Sequence, residues 1–456
     1  MTVRLKKLRI WLSQKLTPMK MIALVFAGLI IMGAVLLMLP AASRNNTSVG
    51  FLPAFFTATS ATCVTGLVLF DTWSQWTPFG QVVIICLIEI GGLGFMSAAS
   101  VVFFLLRRKV GLRQRLVMAQ MMSLNEMSGV VHLQKLAILG SLAIQALGAL
   151  ILTAYFWPQY GFARAVTWGA FHAVSAFCNA GFDIFGSIEP GMSLIHFATD
   201  PVVLLTLGSL VIIGGLGFFV WEEIATKRRF SRFSVYTKLV LVITLVLLIL
   251  GTVCYCALEW NNPETLGGLT VPQKLLGGFF QSVTVRTAGF AAIDQAQLTD
   301  GSVGVSLVLM LIGGSSGSTA GGVKTVTMMV LLLFLWNRAR GRETVTVFHR
   351  TIPNSQVLQA MTLVSLMAVL AVFGGIFLTA TSPISLSAGL YESVSALATV
   401  GLTAGATGKL SLAGKLLMIV YMYFGRVGIL TISLGFLTGN RAQERFHYAH
   451  ANLLIG

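Results

Sequence analysis

Thr62-Cys63-Val64-Thr65-Gly66-Leu67, Phe177-Cys178-Asn179-Ala180-Gly181-Phe182, Val285-Arg286-Thr287-Ala288-Gly289-Phe290 and Leu397-Ala398-Thr399-Val400-Gly401-Leu402 are near-copies of one phrase. Each closes a short hydroxyl-rich segment on a glycine followed by a large apolar residue. The glycines lie 115, 108 and 112 residues apart, so the chain is a fourfold internal repeat. The segments leading into them offer about 12 to 15 residues, against roughly 20 apolar residues needed to cross a bilayer. They must dip in and return, and four such walls make one pore.

The 456 residues are 56% hydrophobic and 10% charged, with a mean hydropathy of +0.85, which leaves too little polar surface for a soluble protein. The composition predicts a polytopic membrane protein. The formal charge of +16 raises the question of nucleic acid, but such a surface needs basic residues clustered on a soluble domain, and the sequence has none. Of 31 Lys and Arg, 23 fall between Arg4 and Lys20, in 107–135, in 227–238, in 338–350 and after Asn440. Arg44, Arg164, Lys274, Lys409 and Lys415 lie in other loops, and Arg286, Lys324 and Arg426 sit inside apolar or phrase-like segments. This positive-inside bias predicts that both termini are cytoplasmic. The five cysteines, Cys63, Cys86, Cys178, Cys254 and Cys256, have no metal-ligand spacing and suggest no disulfide framework. The apolar run 21–40 follows a basic tail, as a signal peptide would, but its length suits a spanning helix and the first repeat needs it.

Each repeat reads as a spanning helix, a re-entrant half-helix with its phrase, and a second spanning helix. First helices are expected near 21–41, 133–156, 236–258 and 356–380. Re-entrant segments are expected near 51–62, 163–177, 271–285 and 386–398, and second helices near 79–106, 201–223, 303–336 and 412–437. The fold class is an all-α membrane protein of eight spanning helices and four half-helices around one central pore. Its parts are a basic tail (1–20), repeats over 21–115, 116–232, 233–345 and 346–440, and a carboxy-terminal tail (441–456). Two crossings per repeat return every inter-repeat loop to one side, where the basic runs at 107–115, 227–238 and 338–350 fall. Three crossings would alternate the sides.

Irregular backbone survives at membrane depth only where it is buried in protein or lines water. Four half-helices aimed at the centre direct the negative ends of their dipoles there and favour a cation. Carbonyl rings suit a large, weakly hydrated monovalent ion, and the absence of an Asp or Glu ring argues against a divalent one. The predicted filter is Cys63 to Gly66, Cys178 to Gly181, Arg286 to Gly289 and Ala398 to Gly401: Cys63, Val64, Thr65, Gly66; Cys178, Asn179, Ala180, Gly181; Arg286, Thr287, Ala288, Gly289; Ala398, Thr399, Val400, Gly401.

In these phrases, in Phe56-Thr57-Ala58-Thr59-Ser60 and in Thr403-Ala404-Gly405, the sequence resembles the Trk/Ktr/HKT superfamily of potassium transporters, most closely its KtrB-type membrane subunits, over essentially the whole chain. In that superfamily glycine at all four filter positions goes with potassium and serine at the first marks sodium-favouring plant relatives, so the resemblance implies potassium at the filter carbonyls. One glycine per filter is fewer than in the carbonyl ladder of potassium channels, which predicts fewer ion sites and looser selectivity. Arg286 is expected to point away from the path, towards a carboxylate such as Glu392. His172 and Gln281 read as packing and hydrogen-bonding residues. Glu89 is expected to pair with a basic residue that the sequence does not identify.

The second helix of repeat three is interrupted by Gly313-Gly314-Ser315-Ser316-Gly317-Ser318-Thr319-Ala320-Gly321-Gly322. Glycine costs about 1 kcal/mol per helical position relative to alanine, so five in ten residues should open a loop. The resemblance makes this the gating loop beneath the filter. Its likeness to a phosphate-binding loop is superficial, because Val323 separates Gly322 from Lys324 and no βαβ unit surrounds it. Lys324 and Arg426 are costly charges that should face the interior, with Arg426 latching the loop. Gly91-Gly92-Leu93-Gly94 and Gly214-Gly215-Leu216-Gly217 read as close packing around the pore.

The expected function is potassium uptake across a bacterial plasma membrane, driven by the membrane potential, with sodium as a transported or activating ion left open. A sodium-selective or poorly selective cation channel is the alternative. No covalently bound cofactor is expected. A membrane enzyme using His172, Glu392 or Lys324 fares poorly, since no nucleophile, base and orienting group fall together. The resemblance adds a homodimer on a ring of cytosolic nucleotide-binding KtrA-type subunits.

Overall fold

The computed structural model describes residues 18–94, 116, 129–342 and 344–428. Four long helices open the four repeats: α1 (Pro18–Leu37), α4 (Val130–Tyr160), α8 (Val235–Glu259) and α12 (Asn354–Thr381). Each is followed by a short helix, α2 (Phe51–Thr62), α5 (Phe162–Phe177), α9 (Val271–Thr284) or α13 (Leu386–Leu397). The last parts of the repeats are α3 (Pro78–Leu93), α6 (Pro201–Leu216) with α7 (Phe218–Lys227), α10 (Asp300–Leu311) with α11 (Thr325–Ala339), and α14 (Leu412–Val427). A hairpin, β1 (Val345–Val347) and β2 (Arg350–Ile352), pairs antiparallel between repeats three and four, with Val345 opposite Ile352.

Local chemistry sets the helix starts. Thr77 accepts from the Gly80 amide and Asp200 from the Val202 and Val203 amides, with Pro78 and Pro201 in the first turn where a missing N–H costs nothing. Thr270 and Gln273 form a reciprocal capping box on α9. Ser385 and Ser411 cap α13 and α14.

Polarity is inverted relative to a soluble protein. Ile31 and Val35 on α1, Leu147 and Leu150 on α4, Leu245, Ile249 and Val253 on α8, and Val369, Phe373 and Ile376 on α12 are exposed. Thr57, Thr59, Ser60, Ser175, Thr284, Ser393 and Ser395 are buried. Hydroxyls inside and an apolar belt outside are what lipid as the solvent requires. The four long helices are each apolar and long enough to cross a bilayer, and this is a multi-pass membrane protein.

The second helices differ from the continuous spans expected. α3, α6 and α14 stop at Gly94, Gly217 and Gly428, whose φ of 83, 92 and 93° cannot continue a helix. α6 and α7 meet at 92°. Just before each stop a glycine lies against the last carbonyl of a half-helix. A Cβ on Gly91 would overlap the carbonyl of Thr62, one on Gly214 that of Phe177, and one on Gly425 that of Leu397. Close packing and chain breaks therefore coincide, and in repeat three the loop 312–324 takes the place of the break. Expected segments 95–106 and 429–437, the basic run 107–115, most of the amino-terminal tail and all of the carboxy-terminal tail lie outside the described residues.

Candidate functional site

The half-helices end at Thr62, Phe177, Thr284 and Leu397, buried at the centre of the molecule. Beyond each, the chain turns through a residue in the left-handed region two positions before its glycine: Val64, Asn179, Thr287 and Thr399, with φ of 56, 59, 62 and 52°. Gly66, Gly181, Gly289 and Gly401 follow with φ of 97, 67, 82 and 93°. Four β-branched or amide residues held where side chains are disfavoured mark a conformation imposed by the assembly.

These turns close on one another. A Cβ built on Gly66 would lie 2.5 Å from the carbonyl oxygen of Ala180, one on Gly181 2.8 Å from that of Ala288, and one on Gly289 2.6 Å from that of Val400. A Cβ on Gly401 would overlap the carbonyl of Thr65. Each glycine abuts the carbonyl that precedes the glycine of the next wall, and the cycle returns to its start. Only glycine permits this approach, and the narrowest part of the ring is backbone rather than side chain.

Hydroxyls behind the ring hold it. Ser60 and Ser395, six residues before their glycines, accept from the amides of Gly66 and Gly401 at 3.1 Å, while Ser175 donates to the carbonyl of Phe182 at 2.6 Å. The third wall carries Val283 at that position and has slipped by one residue. Its half-helix ends five residues before the glycine instead of four, and Thr284 donates to the carbonyl of Phe290 at 2.6 Å. Sequence reading missed these positioning hydroxyls individually, although a serine six residues before the glycine in three of the four walls (Ser60, Ser175 and Ser395) was their signal.

The loop 312–324 lies against the same walls. It leaves α10 and re-enters α11 through a parallel bridge between Ile312 and Val323. The Ser315 and Thr319 amides donate to the carbonyls of Gly215 and Gly214 at 3.0 and 3.2 Å, and the Tyr236 hydroxyl donates to that of Ser316 at 3.0 Å. Thr319 Oγ1 lies 2.9 Å from Asn179 Oδ1 and 3.0 Å from the carbonyl of Phe177, both in wall two. A Cβ on Gly321 would overlap Thr399 Oγ1 in wall four. In the ring order, walls two and four are opposite each other. Three consecutive residues, spanning at most about 7 Å, thus touch both walls.

Arg426 donates Nη1 to the carbonyl of Thr319 and Nη2 to those of Gly91 and Gly92, at 2.6 and 2.8 Å. Lys324 donates to the carbonyl of Ala320 at 2.8 Å. Arg286 does not meet Glu392. Its Nη2 reaches the carbonyl of Gly313 at 3.5 Å, and it lines a cavity with Asn179, Thr244 and Gly314. Glu392 instead accepts from the hydroxyls of Thr403 and Thr407, because the turn after Gly401 folds back over its carboxylate. Glu89 has no basic partner among the described residues. It accepts from Gln145 Nε2 at 3.0 Å and from the Cys178 thiol at 3.3 Å, since α3 faces α4 and wall two there. His172 accepts the Ile184 amide on Nε2, so Nδ1 carries the proton donated to the carbonyl of Trp168, and its ring stacks on Phe185. Gln281 donates to Gln295 at 2.6 Å.

A profile described as TrkH, cation transport protein, matches residues 15–444. The chain belongs to this family of cation transport proteins. It is 39% identical over 461 residues to the potassium/sodium uptake protein NtpJ of Enterococcus hirae, with all of both chains covered. It is 40% identical over 447 residues to the Ktr system potassium uptake protein B of Bacillus subtilis, covering 98% of each. The Vibrio alginolyticus protein of the same name is 36% identical, with 91% of this chain and 90% of that one covered. The crystal structure of the potassium transporter TrkH from Vibrio parahaemolyticus shares the fold, with a TM-score of 0.71 at 18% identity over 90% of this chain and 83% of that one.

Proposed function

We propose that this chain is the potassium-translocating subunit of a bacterial plasma-membrane uptake system, a transporter and not an enzyme, with both termini cytoplasmic. The ion passes through the ring of Gly66, Gly181, Gly289 and Gly401 and is stopped by the loop 313–322 until the loop moves. The observation that supports this reading is that the stretch from Thr319 to Gly321 touches walls two and four, which the ring order makes opposite. Such a segment blocks anything on the axis. Potassium as cargo is supported by the names of the relatives and by a ring of neutral backbone, which suits a weakly hydrated monovalent ion. Sodium as a second transported or activating ion is supported by the printed name of the Enterococcus relative. The naming of two relatives as protein B of a Ktr system supports a multi-component assembly, read here as a homodimer on a cytosolic nucleotide-binding KtrA-type ring.

The ring is tested by Gly66→Ser. The added side chain meets the Ala180 carbonyl and a backbone at φ 97°, so the oxygen geometry must shift. Potassium-over-sodium discrimination in proteoliposome uptake is expected to fall, with the thermal midpoint checking the fold. Unchanged potassium and sodium affinities here and in serine variants at the other three glycines would refute the assignment.

The outer mouth supplies a pH test. Asp183, two residues past Gly181, accepts from the Phe185 amide, and burial, then the Asp71 carboxylate, pushes its carboxyl up to about 7. As external pH falls through that value the carboxylate is protonated, and a negative charge within about 7 Å of the ring is lost. At water-like screening this is about 0.6 kcal/mol, roughly threefold in apparent cation affinity. Uptake at external pH 8 and 6 should differ by about that factor, and Asp183→Asn should flatten the step; a step that persists in the variant arises elsewhere.

A further inference from the structure

Three of the four walls tie the strand that leaves the ring back to the half-helix that entered it, and they do so from one register. His172, nine residues before Gly181, accepts the Ile184 amide on Nε2 at 3.1 Å. Glu392, nine residues before Gly401, accepts from the hydroxyls of Thr403 and Thr407, the second at 2.7 Å. Wall three has slipped by one, and there Gln281, eight residues before Gly289, pairs reciprocally with Gln295 at 2.6 and 3.2 Å. Wall one carries the short Thr57 in this place. All four positions are buried.

The ties are alike in place and unlike in charge. The His172 ring is neutral because Nε2 is an acceptor, Gln281 carries no charge, and Glu392 is the sole acid in the four half-helices. Among the described residues no cation lies within ion-pair distance of its carboxylate. Arg286 turns to the carbonyl of Gly313, and Lys409, on the turn that carries Thr407, is exposed. Donors stand where a counter-ion would: two hydroxyls bond to the carboxylate, and the amides of Ala404 and Ala406 face it. Burial works against a charge at this place and four donors work for it. With its oxygens so occupied, the carboxylate is no ligand for a passing ion and acts on it through its field alone.

We propose that Glu392 is a fixed anion behind wall four that sets the affinity of the glycine ring for monovalent cations without touching them. The proposal rests on reading the ring as the ion path. Thr403 stands two residues past Gly401, at most about 7 Å along the chain, and its hydrogen bond adds about 3 Å. The carboxylate therefore lies on the order of 10 Å from the ring, and at an effective dielectric of about 20 a unit charge at that distance changes the affinity for a monovalent cation roughly tenfold. A field acts on potassium and sodium alike, whereas the spacing of the ring oxygens tells them apart. Affinity and discrimination thus belong to different groups.

The test is the concentration dependence of potassium and of sodium isotope uptake by the full-length protein in proteoliposomes, at a set membrane potential and at an external pH of about 8, above the value of about 7 at which Asp183 loses its charge. Glu392→Gln keeps the shape and removes the charge, and the two threonine hydroxyls can accept from its amide as readily as donate to its oxygen. The half-saturating concentrations of both ions should rise by a common factor of roughly ten, with the ratio of potassium to sodium uptake nearly unchanged. Glu392→Asp keeps the charge and should stay within about threefold of the parent. Thr407→Val carries the test if the glutamine variant does not fold: it removes one donor that favours the charge, and should raise both half-saturating concentrations together. If Glu392 only ties the strand, the ratio of the two ions would change instead and the aspartate variant would do no better than the glutamine one. That result, or affinities in Glu392→Gln equal to the parent's, would overturn the fixed anion. If Gly66→Ser still changed discrimination while Glu392→Gln changed nothing, the ring would stand without it; if neither variant changed the uptake of either ion, both readings would fall.

Discussion

Replacing Arg426 by alanine is expected to raise potassium uptake measured without any cytosolic partner by roughly tenfold to a hundredfold. The guanidinium ties the carbonyl of Thr319 in the loop to the carbonyls of Gly91 and Gly92 at the end of α3. Hydrogen bonds from a charged donor contribute about 1.5 to 3 kcal/mol, and losing that from the closed state shifts a two-state gate by the stated factor. Lysine at this position should restore closure only in part, because a point charge cannot span both sets of carbonyls as the planar fork does. Uptake by the Arg426→Lys protein equal to that of Arg426→Ala would indicate that geometry, not charge, does all the holding.

Deleting residues 313–322 should have a comparable or larger effect. The obstruction goes while the four turns of the ring remain, and the cut ends are already adjacent, since Ile312 and Val323 are bridged side by side with α10 and α11 running on in the same sense. Flux should rise, and on the proposed reading it should no longer depend on a cytosolic partner. A folded deletion protein that conducts no faster than the parent would make the stretch a packing element. Combining the deletion with Arg426→Ala separates the two roles of the arginine: acting through the loop, it adds nothing once the loop is gone, whereas additive effects would make it an electrostatic barrier in the cavity.

The re-entrant segments were legible to within about a residue at most ends, because short apolar runs closing on glycine cannot cross a bilayer and their period identified them as copies. The bends of the second helices were only half legible. Gly91, Gly92 and Gly94, like Gly214, Gly215 and Gly217, announce close approach, but whether a glycine packs inside a helix or ends it depends on a φ that composition does not fix. The one-residue slip of the third wall was hidden, since the phrase Arg286-Thr287-Ala288-Gly289 aligns without a gap and the slip is absorbed in the last turn of α9. The partners of Arg286 and Glu89 were misjudged for one reason. Opposite charge is the first guess for a buried ion, yet Arg286 reaches a loop carbonyl while Glu89 takes a carboxamide and a thiol, and these meet it only after four repeats have closed into a ring. Contact of Arg426 with the loop could be expected from its mid-bilayer position, where oxygen partners must be found and the interrupted helix exposes the most carbonyls.

The most direct measurement is the ratio of potassium to sodium isotope uptake, at a set membrane potential, by the loop-deleted protein with and without Gly181→Ala. Removing the loop makes the ring the narrowest obstacle, and a methyl on Gly181 would come within 2.7 Å of Gly289 Cα and 2.8 Å of the Ala288 carbonyl. The account predicts that the loop-deleted parent still prefers potassium and that the alanine variant loses that preference severalfold while remaining folded. An unchanged ratio in the two proteins would mean that ions do not pass through the ring of four glycines.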